Sequence, residues 1–231
     1  LNTLLYNICF ITLGITVSLI VALILNEVKN KAAIKFYQTV MFFPNFLSWI
    51  VVAYILFAFL GSSYGILNQI LTKYGLEIHN WYHYPRVWPF IIVTTAIWKS
   101  MGMGVLINYA VLVGIDKTYY EAAAIDGANK FQTTLNISLP FLIPINVIQI
   151  ILAVGRIFNA DFGMFYQLTQ NSGSLETTTS VIDTYVFKLL TVSNEIGIAT
   201  AVGLYQSLVG LILIITTNMI VRKIQAENAL F

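Results

Sequence analysis

The stretch Leu4–Leu25, LLYNICFITLGITVSLIVALIL, decides the class of the fold. It contains no charged residue, and a helix that crosses a hydrocarbon core about 30 Å thick needs about 20 apolar residues. Because no water inside a bilayer can pair with the backbone, an apolar run of this length crosses the membrane as a helix. The run is too long for the apolar core of a signal peptide, and no basic stretch precedes it. We therefore predict a spanning helix here, and we expect a further N-terminal piece, such as one more spanning helix, to precede this sequence.

Four further stretches meet the same requirement. They are Val40–Leu60, Pro89–Gly114, Leu139–Phe158 and Val202–Val221. The composition agrees, because 58% of the 231 residues are hydrophobic and only 10% are charged, whereas soluble domains carry about 25% charged residues. A soluble protein of this size cannot bury so much apolar surface. The sequence predicts a single all-α transmembrane domain over residues 1–231, a polytopic helix bundle with five spanning helices in the cell (inner or plasma) membrane.

Lysine and arginine in the connections predict the orientation, because they are enriched on the cytoplasmic side. With five helices the connections alternate between two sides. One side carries seven of the 12 basic residues, namely Lys29, Lys31, Lys35, Lys117, Lys130, Arg222 and Lys223. The other side carries Lys73, Arg86 and Lys188. We therefore predict that the Asp116–Ser138 loop and the C-terminus are cytoplasmic, and that the Gly61–Trp88 and Asn159–Ala201 segments are external.

Several classes of function are excluded by what the sequence lacks. Basic residues are scattered and form no run with interleaved aromatics, so we expect no nucleic-acid partner. His79 and His83 stand four apart, but no third ligand lies at a suitable spacing, so we expect no metal site. No Gly-x-x-x-x-Gly-Lys-Ser/Thr phosphate loop and no nucleophile–base pair occur. We therefore predict that this chain is not an enzyme and holds no cofactor of its own.

The Asp116–Ser138 loop begins with the residues DKTYYEAAAIDG. Thr118 and Glu121 stand three apart, which fits a capping box, and Glu121 suits the positive end of a helix dipole. The alanines at 122–124 favour helix and keep one face slim, and Gly127 is able to end the helix with a positive φ. On these grounds the loop contains either a structural interfacial helix or a helix that inserts into a groove on another protein.

Pro140 follows this loop near the beginning of the next span, where its missing N–H costs little. From Glu121 to Pro140 the chain reads Glu-Ala-Ala, three residues, Gly, nine residues, Ile, one residue, Leu-Pro. This pattern resembles the cytoplasmic loop shared by permease subunits of binding-protein-dependent ABC importers. The matching residues are Glu121, Ala122, Ala123, Gly127, Ile137, Leu139 and Pro140, and Asp126 and Ala128 match its common extension.

The resemblance implies a type I ABC importer permease fold and a mechanism. In that family the loop forms a coupling helix seated in a cleft of the ATPase subunit. Glu121 would orient the helix, Ala122 and Ala123 would contact the ATPase, and Gly127 would make the turn. The implied partners are two ATPase subunits, which would bind ATP and Mg, a second permease subunit, expected to be a different chain, and an extracytoplasmic substrate-binding protein.

Two short stretches bear on the cargo. Phe43-Pro44-Asn45 at the second span and the residues Phe158–Phe162 after the fourth resemble the maltose-type carbohydrate permeases, in particular the branch that carries oligosaccharides and polysaccharide fragments. The coupling loop is common to all such importers, so a permease for amino acids, peptides or inorganic anions remains an alternative. Outside this class, an ion-driven secondary transporter or channel and a membrane scaffold without transport also remain open.

Polar residues within and beside the spans are the candidates for the substrate pathway. They are Trp98, Lys99, Asn108, Asn146, Gln149, Arg156, Asn159, Asp161 and Tyr166. Charged residues in a membrane usually face a partner or a wet cavity, so Lys99 and Arg156 would contact an anionic sugar. Alternatively, these two side chains snorkel to an interface or pair with a neighbour. Asp161 lies five residues from Arg156, and we predict an ion pair between them at the external mouth.

Overall fold

The computed structural model describes residues 1–224, which contain twelve α-helices and no strand. The helices are α1 Asn2–Asn26, α2 Lys31–Phe42, α3 Trp49–Leu60, α4 Ile66–Lys73, α5 Trp88–Gly114, α6 Lys117–Ile125, α7 Lys130–Thr133, α8 Leu139–Val154, α9 Phe162–Leu168, α10 Glu176–Thr179, α11 Ile182–Thr191 and α12 Ile196–Ile224. The all-α prediction is confirmed. The C-terminus, which we predict to be cytoplasmic, lies outside the described residues.

Four of the helical stretches between residues 1 and 224 are long and apolar enough to cross a membrane. They are Asn2–Asn26, Trp88–Gly114, Lys130–Val154 and Ile196–Lys223. The pair Lys31–Phe46 and Trp49–Leu60 is a fifth candidate if it is counted as one broken span. Counted in that way the five predicted spans are matched, and without it there are four. The fourth predicted span begins nine residues earlier than predicted and the fifth begins six residues earlier.

The second predicted span, Val40–Leu60, is not one continuous helix. Phe43–Phe46 forms a turn of 3₁₀ helix that contains the buried Pro44, whose ring nitrogen cannot donate a helical hydrogen bond. A new helix then begins after Ser48, whose backbone is extended (φ −68°, ψ 155°) and whose hydroxyl accepts a hydrogen bond from the amide of Val51 at 3.3 Å. A proline can end a helix, and a capping serine can begin one, even inside an apolar run.

Helix α5 packs against this break. The Nζ of Lys99 donates a hydrogen bond to the carbonyl oxygen of Asn45 at 3.1 Å, which satisfies one of the carbonyls that a helix end leaves unpaired. One turn further along α5, Gly102 lies so close to the preceding backbone that a Cβ on it would stand 2.3 Å from the carbonyl oxygen of Met41. The break is therefore held in place by a cation and by a glycine of the neighbouring helix.

Pro140 lies in the first turn of α8, as predicted, but the helical stretch that forms this span is longer than α8. The stretch already begins at Lys130, because Asn129 and Gln132 form a capping box there. Thr134–Ser138 then follows as a stretch of π-helix, in which the amide of Leu139 donates to the carbonyl of Thr134 five residues back. Pro140 thus lies ten residues inside a continuous helical stretch.

The chain divides into two compact units. The first contains Leu1–Cys9, Phe46–Ala96 and Arg156–Val209, and the second contains Phe10–Asn45, Ile97–Gly155 and the residues from Gly210 onward. In the second unit, α1, α5 and α8 contribute a core made of Ala22, Leu25, Val105, Leu112, Ile115 and Leu142. In the first, aromatic rings pack edge to face or tilted, as in Tyr6 with Phe165 at 4.9 Å and Tyr82 with Trp88 at 5.0 Å between ring centroids.

A single buried amide orders the segment between α3 and α5, within the first unit. The Nδ2 of Asn68 donates to the carbonyl of His79 at 2.8 Å and to that of Ser62 at 3.1 Å. Its Oδ1 accepts hydrogen bonds from the amide of His79 and from the indole Nε1 of Trp81. Because Asn68 is 3% exposed, these bonds are protected from water, and the segment has a defined structure without a long helix.

Candidate functional site

The loop helix α6 begins at Lys117, and its N-cap is Asp116. The Oδ1 of Asp116 accepts a hydrogen bond from the amide of Thr118 at 2.9 Å, and the Asp116 backbone is extended (φ −62°, ψ 131°). The predicted capping box of Thr118 and Glu121 is therefore wrong, because the carboxylate of Asp116 already serves as the cap. Glu121 consequently lies beyond the first turn of the helix, not at its positive end. The hydrogen bond from Thr118 holds the pKa of Asp116 below its ordinary value, so the cap stays charged at neutral pH.

The end of α6 is built around Gly127. Its φ is +75°, in the left-handed region that favours glycine. The amide of Ala128 donates to the carbonyl of Ala123 at 2.9 Å, and the amide of Gly127 donates to that of Ala124 at 3.2 Å. This pair of bonds is the Schellman motif, which satisfies carbonyls at a helix C-terminus. The prediction that Gly127 ends the helix with a positive φ is confirmed, and Asp126 lies at the C-cap.

The loop is tied firmly to the spans of the second unit. The hydroxyl of Tyr120 lies 3.1 Å from the Oγ of the buried Ser138, so the two share a hydrogen bond. Tyr120 and Ile137 also pack against the core formed by α1, α5 and α8. On the surface, the Nζ of Lys130 donates to a carboxylate oxygen of Glu27 at 2.5 Å. A displacement of α6 would therefore be passed to three spanning helices.

The rest of the loop presents an open surface. No residue of α6 is buried; Glu121 and Ala122 are exposed and Ala123 is half-buried. Two large apolar side chains stand out from this surface, Ile125 at 87% exposure and Phe131 at 72%. Sequence reasoning missed both, although an isoleucine at the end of an alanine-rich helix and a phenylalanine in a polar turn were a usable signal. Ile125 and Phe131 are the most exposed of the large apolar side chains in the Asp116–Ser138 loop.

Five of the predicted pathway residues lie in the second unit, and two of them form a pair. The Nδ2 of Asn146 donates to the Oδ1 of Asn108 at 2.7 Å, and both residues are buried, at 7% and 0% exposure. The Oδ1 of Asn146 and the Nε2 of Gln149 are buried polar atoms without a hydrogen-bond partner among residues 1–224. Lys99 bonds the carbonyl of Asn45, and Trp98 is exposed at the surface of α5.

The remaining candidates lie in the first unit, in and after the turn that follows α8. The Oδ2 of Asp161 accepts a hydrogen bond from the indole Nε1 of Trp49 at 2.6 Å, and its Oδ1 caps α9 by accepting from the amide of Met164 at 3.1 Å. The predicted ion pair between Asp161 and Arg156 is wrong, because no such pair exists in the described structure. Both carboxylate oxygens are engaged elsewhere, and Arg156 is exposed.

Side chains distant in sequence hold the turn that contains Arg156 and Asn159. The Nδ2 of Asn7 donates to the carbonyls of Ile157 and Asn159 at 2.9 and 3.0 Å. The Nε2 of Gln206 donates to the carbonyl of Phe158 at 2.7 Å, and a carboxylate oxygen of Asp183 accepts from the amide of Ala160 at 2.7 Å. Sequence reasoning missed Asn7, Asp183 and Gln206. These side chains satisfy backbone groups that the end of α8 and the turn leave without helical partners.

Tyr166, the last candidate, stacks on Phe162 at 5.0 Å between ring centroids.

Replacing Asp161 tests this arrangement. We expect Asp161→Ala to lower the free energy of unfolding by about 1–2 kcal/mol, because it removes a helix cap and the acceptor of the Trp49 indole. Asp161→Asn keeps a capping oxygen and is expected to lose less. Arg156→Gln is the control and should leave the thermal midpoint in detergent unchanged. An equal loss of stability in Arg156→Gln and Asp161→Ala would contradict this arrangement and would indicate that the two side chains form an ion pair after all.

Comparison with known proteins gives the family. The model of the family described as "binding-protein-dependent transport system inner membrane component" matches residues 14–226. Among curated relatives, Protein LplB of Bacillus subtilis (strain 168) is 32% identical over 210 residues, which cover 91% of this chain and 65% of LplB. The polygalacturonan/rhamnogalacturonan transport system permease protein YteP of the same strain is 30% identical over 227 residues, which cover 98% of this chain and 70% of YteP. The chain thus spans about two thirds of the length of these relatives.

Solved structures agree with this result. A crystal structure of a bacterial alginate ABC transporter, in complex with an alginate pentasaccharide-bound periplasmic protein, aligns with a TM-score of 0.90 and 29% identity over 96% of this chain and 77% of that one. A second crystal structure, of a bacterial ABC transporter involved in the import of the acidic polysaccharide alginate, aligns with a TM-score of 0.91 over 97% and 78% at the same identity. This chain belongs to the family of binding-protein-dependent transport system inner membrane components, the permeases of ABC importers.

Proposed function

We propose that this chain is the permease subunit of an ATP-driven importer that moves an oligosaccharide or polysaccharide fragment across the cell membrane. The family match over residues 14–226 is the observation that carries the proposal. The carbohydrate cargo is supported by the names of relatives, which include YteP and the arabinooligosaccharides permease AraP of Bacillus subtilis, 31% identical over 98% of this chain. The alginate transporter structures point the same way.

The Asp116–Ser138 loop supplies the coupling in this proposal. Its open surface, with Ala122 and Ile125 exposed on α6 and Phe131 exposed on α7, would insert into a cleft of an ATPase subunit on the cytoplasmic side. The bond between Tyr120 and Ser138 and the packing of Tyr120 on the core would pass ATPase movement to the spans. Two separate ATPase subunits would hold ATP and Mg and carry out hydrolysis, beside a second permease chain.

An extracytoplasmic binding protein would deliver the sugar on the opposite side, where the Gly61–Trp88 and Asn159–Ala201 segments lie in this proposal. Arg156, an exposed cation beside the turn held by Asn7 and Gln206, would contact the carboxylates of an acidic sugar. Lys99 is the other cation among the predicted pathway residues, but its Nζ donates a hydrogen bond to the carbonyl of Asn45 at the break of the second span. We therefore assign the anion contact to Arg156 first.

The experiment is ATP-driven uptake of size-defined galacturonan, arabinan and alginate oligosaccharides by the reconstituted complex with its binding protein. We expect Arg156→Gln to lower uptake of the acidic series about ten-fold, the scale of one charge-assisted hydrogen bond, and to spare the neutral arabinan series. Arg86→Gln, an external cation in the proposed orientation, is the matched control. Equal rates for wild type and Arg156→Gln on acidic sugars would refute the assigned contact.

The same assay separates the competing functions. Uptake of amino acids, peptides or inorganic anions with no oligosaccharide uptake would move the cargo to the alternative class of importer. Uptake that persists after ATP depletion while an ion gradient is held would indicate a secondary transporter. The first outcome is not expected because the relatives YteP and AraP are named as carbohydrate permeases. The second is not expected because the coupling-loop pattern from Glu121 to Pro140 is complete.

A further inference from the structure

A cavity of about 280 Å³ lies in the first unit, between α3 and the end of α9. Tyr54 contributes from α3, and Tyr166, Gln167, Gln170 and Asn171 contribute from the C-terminal part of α9 and the turn after it. Its volume is at the small end of the range for ligand pockets, about 300–1,000 Å³. The cavity therefore suits a small part of a larger ligand. Of its lining residues only Tyr166 was among the predicted pathway residues.

Three side-chain amides line this cavity, those of the half-buried Gln167 and of the exposed Gln170 and Asn171. The side chains of Gln167, Gln170 and Asn171 make no hydrogen bond within residues 1–224. Each amide offers one carbonyl acceptor and two N–H donors, which is the mixture that the hydroxyl groups of a sugar require. No charged residue lines the cavity, so its chemistry favours neutral hydroxyl groups over carboxylates or phosphates.

Two tyrosine rings, together with Ile50 and Ala53, form the rest of the lining. Tyr54 is 71% exposed although it belongs to an apolar helix. Tyr166 is fixed by its neighbours, because its ring stacks on Phe162 and meets Phe187 edge to face at 5.3 Å between ring centroids. Aromatic rings present an apolar face with a polar hydroxyl at the edge, and the apolar faces of sugar rings pack on such surfaces. One ring is thus preorganised and the other is free to adjust.

The backbone that carries two of the amides is held in an uncommon conformation. Gln170 and Asn171 have consecutive positive φ angles of 53° and 50°. The turn is fixed by hydrogen bonds from the amide of Asn171 to the carbonyl of Tyr166 at 3.3 Å and from that of Gln170 to the carbonyl of Gln167 at 3.2 Å. Left-handed residues other than glycine cost free energy and concentrate at ligand sites. Here the conformation brings both amides to the lining of one cavity.

Lipid is a poor occupant of this space. Hydrocarbon offers no hydrogen bonds, so three unpaired amides facing it would be strongly unfavourable. Water or a hydrogen-bonding ligand satisfies them instead. The cavity therefore belongs to a wet part of the protein, although α3 itself is among the most apolar helices of the chain.

We infer that this cavity is a subsite for one sugar unit of the incoming oligosaccharide, on the external side of the permease. The amides of Gln167, Gln170 and Asn171 bind the hydroxyl groups, and Tyr54 and Tyr166 pack on the ring. The inference rests on the proposed function and orientation. Because the subsite recognises hydroxyl groups and holds only a small part of the ligand, it contributes to uptake of long oligosaccharides and not to uptake of short ones.

The test uses the assembled transporter and two lengths of sugar. ATP-driven uptake is measured for two-unit and six-unit oligomers of the galacturonan, arabinan and alginate series, with wild type, Gln167→Leu and Asn171→Ala. We expect either substitution to lower uptake of the six-unit oligomer about ten-fold, the scale of one or two lost hydrogen bonds, and to change uptake of the two-unit oligomer less than two-fold. Asn194→Ala is the matched control, because Asn194 has the same residue type, a φ of 53° and an exposed side chain but does not line the cavity.

Each outcome decides one of the two proposals. An unchanged length profile in both variants, or an equal fall for both lengths, overturns the subsite and leaves the importer proposal intact. Loss of another subunit from the purified complex in these variants also overturns it, since the face would then be a protein contact. If wild type takes up none of the three series, the carbohydrate importer proposal itself fails, and the subsite fails with it.

Discussion

Gly127→Val is expected to abolish ATP-driven uptake and to remove the ATPase subunits from the purified complex. A β-branched residue is a strong outlier at the φ of +75° that Gly127 adopts, so the chain must leave the left-handed conformation. The bonds from Gly127 to Ala124 and from Ala128 to Ala123 are then lost, and the last turn of α6 changes direction. Because Ile125 is exposed on this last turn, the proposed ATPase-binding surface is lost with it.

The variant should still fold. A Cβ at position 127 meets nothing within 4 Å. Leaving the left-handed conformation costs no more than the about 1–2 kcal/mol that valine would lose by keeping it, which is small beside the about 5–15 kcal/mol of a typical stable fold. Gly75→Val is the matched control, because Gly75 has a φ of +71° and equally open surroundings but lies outside the Asp116–Ser138 loop. Equal uptake and equal ATPase recovery in both variants would show that the end of α6 is not the coupling site.

Gly102→Ala is expected to have the largest effect on stability. Its Cβ would stand 2.3 Å from the carbonyl oxygen and 2.7 Å from the carbonyl carbon of Met41, and 2.7 Å from the Cα of Phe42. These are backbone atoms, which cannot rotate away as a side chain can. Overpacking of this kind costs about 1–3 kcal/mol, so we expect the thermal midpoint in detergent to fall by about 2–12 °C.

Gly203→Ala is the control for this prediction. Gly203 also lies within a helix, α12, but a Cβ there meets nothing within 4 Å. Alanine is the better helix former by about 1 kcal/mol, so the midpoint should stay the same or rise slightly. A midpoint for Gly102→Ala no lower than that for Gly203→Ala would mean that α5 does not approach the break of the second span as closely as described.

Much of the fold was predictable because the bilayer imposes a simple rule. Long apolar runs such as Leu4–Leu25 must be helices in lipid. They predicted α1 and α5 well, and α12 except for its first six residues. Hydrophobicity alone does not predict where residues within an apolar run break or cap the helix. Pro44 and Ser48 interrupt the second span, and Asn129 begins the fourth at Lys130, well before the apolar residues do. Each of these is a local capping or breaking effect that outweighs hydrophobicity at a few residues.

In the candidate sites, too, features set by local residue type were predictable and contacts between distant residues were not. The turn at Gly127 was predictable from residue type alone, whereas the cap of α6 was assigned to Thr118 although Asp116 holds it. The partners of Asp161 and Asn146 lie 112 and 38 residues away in the chain, so no local pattern contains them. The nearest opposite charge to Asp161 in sequence, Arg156, was the wrong choice because the fold brings the indole of Trp49 to that carboxylate instead.

The most direct test of the central claim is cross-linking from α6 in native membranes. Ala122→Cys would carry a thiol-reactive cross-linker of short reach, with the single native cysteine, Cys9, replaced by serine. Gly75→Cys on the segment between α4 and α5 is the control. We predict that an ATPase subunit is cross-linked to Ala122→Cys and not to Gly75→Cys. Absence of any ATPase from the Ala122→Cys products, or equal cross-linking from both positions, would contradict the assignment of this loop as the coupling site.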